Sequence, residues 1–170
     1  MDDQKLRQHL FSETTRLYGV LDGIMVPGLP NRLYEGQIPN YCLLKGDLTP
    51  DLVHAAPYLV LLSPDSKFTD WVLSESIGKF WGIFFQSRHS IREMRRHFRA
   101  MSQAYDESGN RIAFRFYDPR VLRKYLPSCT PEELEAFFGK ASTFFAEAED
   151  RKNLLSFKLE NGALKQTDLK

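Results

Sequence analysis

Residues 112–122 read Ile112-Ala113-Phe114-Arg115-Phe116-Tyr117-Asp118-Pro119-Arg120-Val121-Leu122. Ile112, Phe114 and Phe116 alternate onto one face of an extended chain, and Ala113, Arg115 and Tyr117 onto the other. Asp118 has the chemistry of a helix N-cap. Pro119 suits the first helical position, where no backbone N–H is needed. The helix then runs through Tyr125 until Pro127 stops it. The stretch therefore predicts a buried strand that turns directly into a helix, with an arginine held near the core. A guanidinium buried without a partner is costly, so a carboxylate must stand beside Arg115, and Asp22 and Asp118 are the candidates.

The flanking sequence repeats this alternation of strand and helix. Leu17–Leu21, Tyr58–Leu62 and Phe80–Phe85 are short apolar runs, the middle one bounded by Pro57 and Ser63-Pro64, as befits strands covered on both faces. Helices are expected from Ser66 to Ile77, and from the capping boxes at Ser90-Ile91-Arg92-Glu93 and Thr130-Pro131-Glu132-Glu133. A short helix is expected within residues 2–15, a brief one after Thr49-Pro50-Asp51, and a short strand over Tyr41–Leu44. Met25–Gly36, rich in proline and glycine, reads as loop, and Glu107-Ser108-Gly109-Asn110 as a turn. Later strands are predicted at Thr143–Ala146 and Leu154–Leu159, with a frayed polar tail from Asn161 onward. The expected fold is α/β, a single domain with a mixed β-sheet flanked by helices.

The chain has 170 residues, 42% of them hydrophobic and 26% charged, which is ordinary globular composition. Its 23 basic and 22 acidic residues leave a formal net charge of +1, which argues against a dedicated non-specific nucleic-acid binder. Cys42 and Cys129 lie far apart and in no metal-type spacing, so reduced thiols are the simple reading and a single disulfide the lesser one. The N-terminus lacks a signal-type apolar core, and no apolar run reaches the roughly 20 residues needed to cross a bilayer. A soluble, cytoplasmic protein is expected.

Read together with Tyr18-Gly19-Val20-Leu21-Asp22-Gly23, Ala56-Pro57-Tyr58-Leu59-Val60 and Trp81-Gly82-Ile83-Phe84, the run ending in Arg-Phe-Tyr-Asp-Pro-Arg resembles a bacterial family long labelled a domain of unknown function. Members of that family are encoded beside the spike proteins of type VI secretion systems and act as adaptors that load toxic effectors onto the spike. The resemblance covers roughly residues 17–140 and keeps the four blocks in order. It implies a short N-terminal polar segment over 1–16, an adaptor core over 17–140, and C-terminal strands with a tail over 141–170. It further implies two partners, a cognate effector and the spike protein, with no cofactor, no metal and no catalysis. Asp22, Arg115, Asp118, Pro119 and Arg120 are counterparts of the family's shared residues and mark its fold. Some members carry a longer C-terminal region than this chain.

Two features are candidates for protein binding. Arg88, Arg92, Arg95, Arg96 and Arg99 lie in and around a helix whose other side carries Ile91, Met94, Phe98 and Met101, separating a basic stripe from an apolar one. Such a stripe is either solvated, with Glu132, Glu133 and Glu135 as internal acidic partners, or it faces an acidic protein. Nucleic acid is the lesser alternative. Phe137, Phe138, Phe144 and Phe145 form the second candidate, as core or as a docking surface. An enzyme is not expected: His9, His54, His89 and His97 are scattered, and no nucleophile elbow, glycine-rich phosphate loop or dinucleotide fingerprint occurs. Two rivals stay open. One is a small enzyme, or effector-associated protein, with an anion site around Arg115 and Asp118. The other is an immunity protein that binds a toxin.

Overall fold

In the computed structural model, which describes residues 3–12, 14–101, 103–105, 108–109 and 111–169 (backbone only at 3, 103–105 and 111–113), strand β1 (Arg16–Asp22) is an inner strand of a seven-stranded sheet. Strand β2 (Asn40–Cys42) lies at one edge, beside β3 (Pro57–Leu62), which pairs with β1. On the other side of β1 stands β4 (Gly82–Ser87). Beyond β4 follow β7 (Thr143–Glu147), β8 (Leu154–Glu160) and β9 (Ala163–Leu169). Every pairing in the sheet is antiparallel. The chain is a single mixed α/β domain.

The continuous apolar strands are explained by helices on both faces. Helices α1 (Asp3–Leu10), α2 (Leu29–Glu35) and α4 (Lys67–Ser76) bring Leu10, Leu29 and Val72 onto Leu21, Val60 and Phe84. The short α3 (Pro50–Ala55) buries no side chain of its own and leads into β3. On the opposite face α5 (Ile91–Met101), α6 (Pro119–Tyr125) and α7 (Pro131–Phe138) bring Phe98, Leu122 and Phe137 onto Tyr18, Phe85 and Phe144. Register fixes that core. Tyr18 lies opposite Phe85 and Phe85 opposite Phe144, with ring centroids 5.2 and 5.7 Å apart. Cross-strand aromatic pairs of this kind add to the burial of their area. Apolar runs of this type report covering on both faces, and they carry no information on strand direction.

Four local expectations are corrected. The strand expected over residues 112–117 ends at Ala113: β6 (Arg111–Ala113) pairs with β5 (Gln103–Tyr105) in a separate two-stranded sheet. The Asp118 N–H then donates to the Arg115 carbonyl (3.0 Å), and this turn sends the consecutive rings of Phe116 and Tyr117 inward together. The alternation expected at Ile112 and Ala113 concerns side chains outside the described residues, as do Glu107 and Asn110 of the expected turn. Met25–Gly36 is not all loop, because α2 forms with Pro30 in its first turn, where the missing N–H costs nothing. Phe80 is not a strand residue: it is half-buried at φ 54°, and β4 starts two residues later. The tail is not frayed. Asn161 and Gly162, at φ 53° and 77°, form a two-residue turn that pairs β9 with β8 along its whole length.

Candidate functional site

The four sequence blocks meet at the C-terminal end of β1. Asp22 is buried, with Oδ1 accepting from the Ile24 N–H (3.0 Å) and Oδ2 accepting from the Arg115 guanidinium. The Asp22 N–H donates to the Trp81 carbonyl (2.8 Å), and the Gly23 N–H to the Ala56 carbonyl (3.0 Å). A Cβ at Gly23 would overlap the carbonyl oxygens of His54 and Ala56, and one at Gly82 would overlap that of Val20. Asp118 caps α6 through its Oδ1, which accepts from the Arg120 N–H (2.9 Å), while Oδ2 pairs with the Arg120 guanidinium (2.7 Å). Burial opposes the charge on Asp118, but the hydrogen bonds from Arg120 outweigh it and hold the carboxyl below its usual range. Of the two carboxylates expected for Arg115, the fold supplies Asp22. The arrangement closes a junction between strands and uses its charges internally.

That junction extends to residues with no sequence signal. Glu147 is buried at the end of β7, and its Oε2 accepts from the N–H groups of Gly78 (2.8 Å) and Phe80 (3.2 Å). This holds the turn in which Phe80 adopts its positive φ. The Phe80 ring lies 4.8 Å from each of the Arg120 and Arg151 guanidinium groups. These partners are far apart in the chain, so spacing could not have paired them.

The basic helix is the second site. Met94 and Phe98 of α5 are fully buried, and Ile91 and Met101 pack partly buried beside them, as the apolar stripe requires. The capping box forms, with the Ser90 N–H donating to Glu93 Oε2 (2.9 Å). On the polar side, Arg99 donates to the carbonyls of Cys42 and Leu44 (2.9 Å each), and the Arg95 guanidinium lies 4.5 Å from the Tyr41 ring centre. Two arginines are thus fixed against the edge of the sheet, while Arg92 and Arg96 are exposed. With Lys45 and Ala100 they line a depression of about 490 Å³ that no carboxylate among the described residues lines. Among the described residues, no acidic side chain pairs with Arg92, Arg95 or Arg96. Glu133, considered as an internal partner, instead completes the capping box of α7.

The aromatic candidate is corrected. Phe137, Phe138, Phe144 and Phe145 are at most 3% exposed, so they build the core and offer no docking surface. Both cysteines are free thiols. Among the described residues there is no group of three or more His, Cys, Asp or Glu side chains placed to hold a metal ion, and no helix long and apolar enough to cross a membrane.

Residues 17–136 match the family described as Domain of unknown function (DUF4123). The chain belongs to the DUF4123 family. Comparison with the curated proteins and with the solved structures gave no match. The DUF4123 match opens at β1, contains all four blocks of the junction and closes inside α7. Strands β7, β8 and β9 lie beyond it, yet they complete the sheet of the DUF4123 domain through the pairing of Phe84 with Phe145 and of Phe85 with Phe144.

Proposed function

We propose that this DUF4123 protein is a non-catalytic adaptor that recognises a cognate type VI secretion effector and loads it onto the spike protein. The resemblance of the four sequence blocks supplies the system. The single structural observation that supports the reading is the basic face of α5, where Arg92, Arg95 and Arg96 have no acidic partner among the described residues. An uncompensated basic face with prepositioned guanidinium groups suits electrostatic capture of a protein partner, because complementary charge raises encounter rates and suppresses wrong partners. The rival anion-site reading is weakened by the junction, where Arg115 is engaged by Asp22 and Asp118 by Arg120 and the α6 backbone.

The test is affinity purification of the full chain from its native bacterium, with mass spectrometry of what is retained. Recovery of a spike protein together with a toxin is expected, and recovery of neither with a sound bait overturns the proposal. Charge reversal at Arg92, Arg95 and Arg96 tests the surface separately. If capture of effector and spike both survive it, the basic face of α5 is not the loading surface.

A further inference from the structure

The basic depression on α5 does not end at the helix. Arg96 also lines a second depression of about 400 Å³, together with Glu93, His97, Gly139 and Lys140. Gly139 and Lys140 in turn line a third, of about 520 Å³, into which Arg88, His89 and Lys158 project. The three are therefore contiguous through shared residues. They follow α5 from Arg88, just before its first turn, to Arg99 and Lys45 near its last. At 1.5 Å per residue the helical track is roughly 15 Å long.

Charge along this track is predominantly positive. Glu93 is the one carboxylate lining it among the described residues, and that carboxylate is already engaged. It accepts from Lys140 Nζ (2.9 Å), from the Ser90 hydroxyl (2.8 Å) and N–H (2.9 Å), and stands 3.2 Å from His89 Nδ1. The hydrogen bond from Lys140, followed by those from Ser90 and His89, keeps Glu93 ionised far below the usual carboxylate range. Arg88, Arg92, Arg96 and Lys158 are exposed and have no acidic partner among the described residues. Since the whole chain carries only +1, this concentration is local and directional. Hydroxyl groups of Ser12, Thr14 and Ser142 lie along the rim at the Lys158 end.

We infer that this track is the seat of an extended acidic polypeptide segment belonging to the loaded partner, running along α5 from Arg88 and Lys158 to Arg99 and Lys45. The inference rests on the adaptor reading for the partner's identity and on the groove for its chemistry. An extended chain advances about 3.3 Å per residue, so some five residues span the track and place alternate carboxylates against it. Arginine forks match carboxylates in two-bond geometry. A nucleic-acid strand is the poorer occupant. Strand binding relies on aromatic platforms, no Phe, Tyr or Trp side chain among the described residues lines the three depressions, and the nearby Tyr41 ring is covered by Arg95.

The experiment is fluorescence polarisation of a labelled peptide of about ten residues, alternating glutamate and serine, titrated with the purified full chain at low salt. Salt-sensitive binding is expected, weakened about fivefold by R92E/R96E and again by R88E/K158E. The alanine pairs at the same positions are expected to weaken it by about half as much on a logarithmic scale, with melting temperatures unchanged because these side chains are exposed. Binding that ignores both Arg88 and Lys158 variants confines the site to the α5 depression and overturns the continuous track, leaving the adaptor reading standing. No binding of the peptide, or tighter binding of a single-stranded oligonucleotide of equal charge, overturns the acidic-segment inference. Failure of the adaptor reading shows elsewhere, as loss of spike and toxin from the affinity purification.

Discussion

Replacing Arg115 by alanine and Asp22 by asparagine perturbs one ion pair from its two ends, and the structure predicts unequal costs. The Asp22 side chain is 3% exposed, whereas that of Arg115 is 41% exposed. Arg115→Ala leaves a buried carboxylate with the Ile24 N–H as its one remaining donor among the described residues. Removing one partner of a buried pair costs about 3–5 kcal/mol, and the exposure on the arginine side brings the expected loss to about 3 kcal/mol. Asp22→Asn keeps an acceptor for the Ile24 N–H and leaves a guanidinium that water can reach, for about 1 kcal/mol. The difference of about 2 kcal/mol corresponds to melting points separated by roughly 6 °C in a domain of this size. Urea unfolding of both variants and of the double mutant, with thermal melts alongside, measures it. Equal costs, or a larger one for Asp22→Asn, would refute the reasoning and make Arg115 a ligand-binding candidate again.

Gly82→Ala is expected to destabilise the protein by on the order of 3 kcal/mol, because Cβ would overlap the Val20 carbonyl inside the β1–β4 ladder; a melt within about 2 °C of wild type would show that the strands can part there. Phe144→Ala should cost about 3–5 kcal/mol as a core cavity, while spike and effector capture per folded molecule stays unchanged. Loss of capture with unchanged stability would restore the docking surface. For Asp118 the folded pKa lies below the ordinary 3.8, so its stabilisation is full above the unfolded value and lost as pH falls through the folded one. Asp118→Asn should therefore cost about 0.5–1 kcal/mol at neutral pH, with Arg120 half-exposed, and nothing at a pH below both values. A deficit that persists in acid would assign the loss to packing.

Local chemistry made part of this fold legible, and contacts across the chain hid the rest. The Asp118 cap, Pro119 at the helix start and the capping boxes at Ser90 and Thr130 depend on neighbours within a few residues, and all form as read. The Asn161-Gly162 hairpin was equally local and was obscured by the polarity of β9. An edge strand needs little apolar content when its outer faces meet water, and β9 is such a strand. The basic stripe of α5 was visible from helical spacing, but its extension was not, since Lys45, Lys140 and Lys158 are brought to it from separate elements.

The sequence by itself determined where the capped helices α5, α6 and α7 begin, which residues are apolar enough to be covered on both faces, and that α5 has two chemically opposed sides. Those properties rest on backbone geometry and transfer free energy over a few residues. Only the tertiary structure decided that the strands run antiparallel, that Asp22 rather than Asp118 meets Arg115, and that the four aromatic candidates turn inward. Each of those outcomes is set by contacts between segments tens of residues apart, where register and burial select among partners that local chemistry leaves equivalent.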